Sequence, residues 1–203
     1  ELAIGAILVA LFFDFVNGFH DAANSIATVI GTRVLRPLYA VSLAAVANFV
    51  GPFVFGVAVA TTIGKGIINP DFVTIHIIIG ALIGAIVWDL VTWIFGLPSS
   101  SSHALVGGVL GAGIGGAGMQ AVILGGLEKV VIGIIVSPIV GLTTAFLLAT
   151  LLITIFAKRR PATVNSVFGK LQLVSSTYFS LTHGANDGQK TMGIIALILL
   201  TEG

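Results

Sequence analysis

Residues 17–32 read NGFHDAANSIATVIGT and put His20, Asp21 and Asn24 inside an apolar run that extends from residue 2 to residue 35. One straight helix over that run would be about 51 Å long, whereas the hydrocarbon core of a bilayer is about 30 Å thick. We therefore expect that this run does not form one straight membrane-spanning helix. A carboxylate at membrane depth is costly and usually faces a protein interior or a water-filled path. The stretch is predicted to line a substrate path.

The composition is that of an integral membrane protein. Of the 203 residues 57% are hydrophobic and only 8% are charged, whereas soluble domains average about 25% charged residues. The formal net charge of +1 argues against nucleic acid as a partner, because nucleic-acid-binding domains usually carry a basic face. The chain has no cysteine, which excludes disulfides and thiolate metal sites within it.

Apolar stretches of spanning length divide the chain into about six predicted membrane segments, all helical. They cover residues 2–30, 37–60, 72–95, 104–127, 130–157 and 171–200. The fourth segment is crowded with glycine, which weakens a helix. Close helix packing and a re-entrant segment are both open explanations of those glycines.

Basic residues predict the orientation of these segments. They cluster after the first segment and around the fifth, at Arg33, Arg36, Lys158, Arg159, Arg160 and Lys170. Because positively charged loops stay in the cytoplasm, both clusters are expected there and the N-terminus outside.

The last segment repeats the polar pattern of the first. Residues 18–24 read GFHDAAN and residues 184–190 read GANDGQK, which aligns Asp21 with Asp187 and His20 with Asn186. With five crossings between them, the two copies would run antiparallel. Inverted repeats with broken helices are a recurrent plan of secondary transporters, in which the binding site lies where the repeats meet.

A second polar island, residues 96–103, reads GLPSSSSH and precedes the glycine-rich segment. Serine hydroxyls and free backbone amides at a helix N-terminus can bind an anion, because the helix dipole is positive there. A simple N-cap at the membrane surface would explain one or two of the serines. Four serines followed by His103 favour a functional site.

The GFHDAAN, HGANDGQKTMG and GLPSSSSH stretches together resemble the signatures of the inorganic phosphate transporter (PiT) family. The resemblance implies an inverted-repeat transporter of a bacterial plasma membrane that takes up phosphate with protons, in some members as a metal-phosphate complex, or with sodium. It implies phosphate and the lipid bilayer as partners, no cofactor and no enzyme activity, and it leaves a homodimer open. The substrate-binding residues it implies are Asp21, Asn24, Ser100, Ser101, Ser102, Asp187 and Lys190. The coupling-cation residues it implies are His20, Asp21, Asn186 and Asp187.

Two features depart from the family pattern. His20 stands where many members have asparagine, and its imidazole titrates near neutrality and could relay a proton. The second Pro-Ser-x-x-His segment is missing, so we expect the chain to be a fragment. The predicted division is a first repeat at 1–157, with the Asp motif at 17–32 and a re-entrant segment at 96–118. A basic linker at 158–170 and a truncated second repeat at 171–203 follow.

Alternatives to phosphate symport remain at this point. A permease for sulfate or another tetrahedral oxyanion would use the same motifs, and a passive channel would not depend on a cation gradient. An intramembrane hydrolase is disfavoured, because adjacent Ser102 and His103 rarely form a nucleophile and base, and no G-x-S-x-G motif is present. Asp14 and Asp89 also lie in apolar segments, where a structural position explains them as well as a transport role does.

Overall fold

The computed structural model describes residues 1–55 and 66–202 and is almost entirely helical. Within these residues two short 3₁₀ turns, Pro70–Phe72 and Met119–Ala121, lie in the connections. The α-helices are α1 (Leu2–Gly31), α2 (Pro37–Phe55), α3 (Ile75–Ile94), α4 (Ser101–Ala117), α5 (Leu124–Phe156) and α6 (Pro161–Glu202).

Four of these helices, α1, α2, α3 and α5, are long and apolar enough to cross a membrane. They correspond to the first, second, third and fifth predicted segments, although residues 56–60 of the second fall outside the described part of the chain. The fourth predicted segment is divided between α4, which has 17 residues, and the start of α5. The re-entrant placement of residues 96–118 stays a prediction.

Helix α4 begins and ends at recognisable signals. The Ser100 hydroxyl caps its N-terminus by accepting a hydrogen bond from the amide of His103. At the other end Gly118 has a φ of 79°, a left-handed conformation that glycine adopts without steric cost. These two residues set the length of α4 and its separation from α5.

The expected interruption of the first segment is not observed. Helix α1 runs unbroken for 30 residues through the polar motif, which corresponds to about 45 Å. Helix α6 is likewise continuous across the second motif, over 42 residues. The polar side chains bond to one another and to neighbouring helices, so the backbone hydrogen bonds need not open.

Helices α1 and α6 pack antiparallel, as the repeated motif predicts. The Thr191 hydroxyl contacts Asp14, the Ser176 hydroxyl donates to the carbonyl of Ser25, and the Thr32 hydroxyl donates to Gln172. Residue numbers rise along α1 as they fall along α6, so the helices run in opposite directions. The two Asp motifs are thereby brought together near the middle of this crossing.

The two basic clusters lie at one end of the molecule. Thr32, at the end of α1, contacts Gln172 near the start of α6. Arg33 and Arg36 follow α1, and Lys158, Arg159 and Arg160 precede α6. The prediction that both clusters face the same side of the membrane fits this arrangement.

The hydrophobic core joins α1, α3, α4 and α6. It includes Phe13, Val16, Leu82, Leu105 and Ile198, each almost fully buried. Helix α5, by contrast, has no buried residue. The core therefore fixes four helices around the polar motifs, while α5 lies outside it.

Glycine brings α2 and α6 into backbone contact. A Cβ atom at Gly184 would overlap the backbone of Asn48, and one at Gly51 would overlap the backbone around Leu181 and Ala185. Small residues of this kind let membrane helices approach closely. The glycine of the second motif is thus a packing residue that holds α6 against α2.

We predict that Gly184→Ala destabilises the protein by about 1–3 kcal/mol, since backbone atoms cannot move aside as a flexible side chain would. Gly5→Ala is the matched control, because no atom lies within 4 Å of its added Cβ and alanine favours the helix. Thermal unfolding in detergent, followed by size-exclusion chromatography, measures both. Equal melting temperatures for the two variants would contradict the backbone contact.

Candidate functional site

The first motif centres on the carboxylate of Asp21, which is 8% exposed. Its Oδ1 lies 3.2 Å from His20 Nδ1 and accepts a hydrogen bond of 3.3 Å from the amide of Asn24. His20 Nε2 lies 3.4 Å from the hydroxyl of Thr92 on α3. The spacing of three and four residues on α1 puts these side chains on one face, as predicted.

The serine tip, which consists of Ser100, Ser101 and Ser102 at the N-terminus of α4, contacts both Asp motifs. The buried Ser101 hydroxyl lies 3.5 Å from Asp21 Oδ2, and Ser102 accepts a 2.8 Å hydrogen bond from Lys190. The Ser100 hydroxyl caps α4 and accepts a 3.5 Å hydrogen bond from the backbone amide of His103. Two of the three predicted serines therefore contact a charged residue of a motif.

The second motif forms an ion-pair network around Asp187. Lys190 Nζ lies 2.6 Å from Asp187 Oδ1, and His183 Nε2 lies 3.0 Å from Asp187 Oδ2. Lys190 is 4% exposed, and Asp187 supplies its counter-charge. A buried cation of this kind is maintained only by a carboxylate and further hydrogen bonds.

The two motifs meet in a cluster of three possible cation ligands. Asp21, His183 and Asp187 each offer one ligand atom, and these atoms lie within 4.8 Å of one another. Carboxylate oxygens with one imidazole nitrogen form a donor set suited to several divalent metals. The arrangement brings together the two aspartates that the sequence repeat aligned.

His183 was missed by the sequence reasoning, although it opens the HGANDGQK stretch. The signal that could have found it is its position four residues before Asp187, which puts both on one helix face. Asn186, which the resemblance implied as a cation residue, is exposed and lines a cavity with Ser102 and Lys190. It lies outside the three-residue cluster.

A larger cavity of about 570 Å³ lies between α1, α2 and α6. Its polar lining includes Asp14, Asn17, Asn48, His183 and Asp187. Asp14 accepts a 2.7 Å hydrogen bond from Thr191. The cavity gives the ion-pair network of the second motif an opening on the α2 side.

Comparison with known proteins agrees with this fold. The model of the phosphate transporter family matches residues 17–202, and the chain belongs to that family. It is thus an integral membrane protein of a transporter class. The inverted-repeat, all-helical fold predicted from the motifs is confirmed.

Individual relatives carry consistent names. A probable low-affinity inorganic phosphate transporter of Rhizobium meliloti is 53% identical over 100% of this chain and 60% of its own length. One of Bacillus subtilis is 45% identical over 98% of this chain and 60% of its own length. The low-affinity inorganic phosphate transporter PitB of Escherichia coli is 36% identical over 98% of this chain and 46% of its own. The chain thus spans about 60% of the first two relatives.

A solved structure named the sodium-dependent phosphate transporter has the same fold. It superimposes with a TM-score of 0.85 over 99% of this chain and 68% of that chain, at 23% identity. At that identity the likeness concerns the fold alone. These relatives are named as transporters, in agreement with the prediction that the chain is not an enzyme.

We predict that Lys190→Met and Asp187→Asn each lower the melting temperature, since Asp187→Asn leaves the buried Lys190 without its counter-charge and Lys190→Met removes the lysine that neutralises Asp187. The double variant should lose less than the sum of the two, with a coupling of about 1 kcal/mol or more. Lys170→Met, at an exposed position, serves as the control. Additive losses in thermal unfolding would show that the pair does not stabilise the fold.

Proposed function

We propose that this chain forms the core of a secondary active transporter that takes up inorganic phosphate together with cations. The observation that carries the proposal is the convergence of Asp21, Asp187 and the serine tip at the antiparallel crossing of α1 and α6. The names of the relatives support phosphate as the substrate. No observation favours sulfate over phosphate.

The physical need for coupling follows from charge. A phosphate dianion cannot enter a low-dielectric core alone, and an inside-negative potential opposes its entry by about 2.3 kcal/mol per charge per 100 mV. Cations that travel with the anion cancel this opposition. Protons or sodium serve this purpose, and a divalent metal would serve it as a metal-phosphate complex.

In the proposed site Ser101, Ser102 and Lys190 bind the phosphate oxygens at the N-terminus of α4. That helix has 17 residues, so its dipole and free amides favour an anion there. Asn24 adds an amide donor beside Asp21, and Ser100 orients the tip through its cap. These groups supply the donors, and the negative charges of Asp21 and Asp187 beside them are the ones that the cations neutralise.

The cations are proposed to bind at Asp21, His183 and Asp187, with His20 next to Asp21. In the structure Lys190 neutralises Asp187. A phosphate that draws Lys190 toward itself leaves Asp187 to be neutralised by a cation, so anion and cation binding favour each other. This exchange of partners is the proposed basis of symport, and it needs no resident cofactor because the cation is cargo.

Rocking of the two repeats would expose this site alternately to each side of the membrane. We propose a bacterial plasma membrane as its location, with the basic clusters in the cytoplasm. The positive-inside rule and the shared end of those clusters support this orientation.

Replacing Asp21 by asparagine is expected to abolish phosphate uptake without reducing expression, because the substitution removes the negative charge but keeps the shape. The measurement is labelled phosphate uptake by the full-length protein in reconstituted vesicles. Asp71→Asn, at an exposed site outside the core, should transport normally. Normal uptake by Asp21→Asn would contradict the assignment of Asp21 to the transport site. Competition of phosphate uptake by sulfate would indicate a permease that accepts a broader range of oxyanions.

His183→Ala is expected to weaken cation binding, since it removes one of three ligand atoms. Thermal stabilisation of the purified protein by sodium, magnesium and manganese, each added separately, provides the readout. His76→Ala is the control, because His76 is exposed near the start of α3. An unchanged stabilisation in His183→Ala would remove this histidine from the cation site.

A further inference from the structure

One carboxylate of the membrane interior stands apart from the others. Asp89, on α3, is 0% exposed, and neither of its carboxylate oxygens has a hydrogen-bond partner among the described residues. The other three acidic side chains near the site are all partnered, Asp14 by Thr191 and the two motif aspartates by the groups described above. Asp89 therefore lacks what an ionised buried carboxylate requires.

Burial without a partner has a direct chemical consequence. An ionised carboxylate with neither solvent nor donors is strongly disfavoured, and such a group takes up a proton instead. The protonated acid carries no charge, so it is tolerated in a fully buried position. The surroundings of Asp89 therefore favour its protonated form over its ionised form.

The position of Asp89 connects it to the transport site. It lies on the buried face of α3, three residues before Thr92, whose hydroxyl contacts His20. The charged or titratable groups that act on it are His20 and Asp21 on α1 and Lys190 on α6. Helix α4, which also packs on α3, carries one titratable residue, His103, which is exposed.

Charge balance gives this proton a role. Around the crossing four aspartates, Asp14, Asp21, Asp89 and Asp187, face one lysine, Lys190. A phosphate anion at the serine tip would add to this excess of negative charge. Any proton on Asp89 thus makes phosphate binding more favourable, and by reciprocity bound phosphate makes protonation of Asp89 more favourable.

We propose that Asp89 is a proton-carrying residue of the transport cycle, loaded with a proton when phosphate binds and unloaded when phosphate leaves. The inference rests on the proposed function, and it adds a coupling residue that lies outside both sequence motifs. The proton is taken from the side at which phosphate enters and released on the side to which it is delivered. Among the described residues the Asp89 carboxylate makes no hydrogen bond to the proposed cation ligands.

Asp89→Asn tests the proposal, because the amide keeps the shape of the protonated acid but cannot exchange a proton. The full-length protein is reconstituted without sodium and with the membrane potential clamped at zero. A proton carried on Asp89 contributes about a tenfold accumulation of phosphate per pH unit of inward gradient. We expect the variant to lose this contribution while its phosphate–phosphate exchange at equal pH stays near wild type.

Two further variants serve as controls for Asp89→Asn. Asp89→Glu keeps a carboxylic acid and should retain accumulation driven by the proton gradient, and Asp71→Asn should match wild type in both assays. If Asp89→Asn does not fold, difference infrared spectroscopy of wild type and Asp89→Glu on phosphate addition provides the readout. A protonated-carboxyl band that appears with phosphate and shifts in the glutamate variant supports the proposal, and the absence of such a band overturns it.

The remaining outcomes separate this inference from the proposed function. Wild-type accumulation in Asp89→Asn, or loss of exchange together with accumulation in the folded variant, overturns the role of Asp89 as a proton carrier. Wild-type uptake that follows sodium and ignores pH also overturns it, but leaves phosphate symport intact. Failure of the wild type to take up phosphate under any gradient would instead reject the proposed function.

Discussion

The rest of the structure depends on the antiparallel crossing of α1 and α6. Hydrogen bonds at Asp14, Ser25 and Thr32 fix the register of these helices along most of α1. That register brings one aspartate from each helix to the same depth, where an unpaired carboxylate is costly. Around this pair of carboxylates lie the serine tip, Lys190 and the two histidines. Each of them offers a positive charge or a hydrogen-bond donor that offsets the cost of burying the two negative charges.

Neutralisation at the crossing is distributed unevenly between the two motifs. Asp187 has a lysine and a histidine, whereas Asp21 has a histidine, an amide and a serine hydroxyl. The second motif therefore carries its own counter-charge, and the first relies on dipoles and on whatever cation is bound. This asymmetry between the two copies of the repeat is consistent with a site that binds an anion on one side and cations on the other.

The sequence predicted the class of fold, the antiparallel motifs and most of the site, because burial of His20, Asp21 and the GANDGQK residues in apolar runs has few explanations. It predicted an interrupted first helix, which does not occur, since apolar length alone does not reveal partners that satisfy polar side chains. His183 was overlooked because only tertiary packing shows that it faces Asp21 as well as Asp187. Nothing local distinguishes Asp89 from a structural acid, and only the tertiary structure shows that its carboxylate is buried without a hydrogen-bond partner among residues 1–55 and 66–202.

The backbone contact at Gly184 also bears on how such a protein moves. Where two helices touch through main-chain atoms, no side chain is available to change rotamer and let them slide. We therefore expect α2 and α6 to stay together at this contact in any movement, and the second motif with them. The serine tip belongs to α4, which is packed on α3, so the Lys190–Ser102 hydrogen bond joins α6 to α4 and the Asp21–Ser101 contact joins α1 to α4. In the proposed alternation of access, a movement of α1 or α6 away from α4 has to break these contacts.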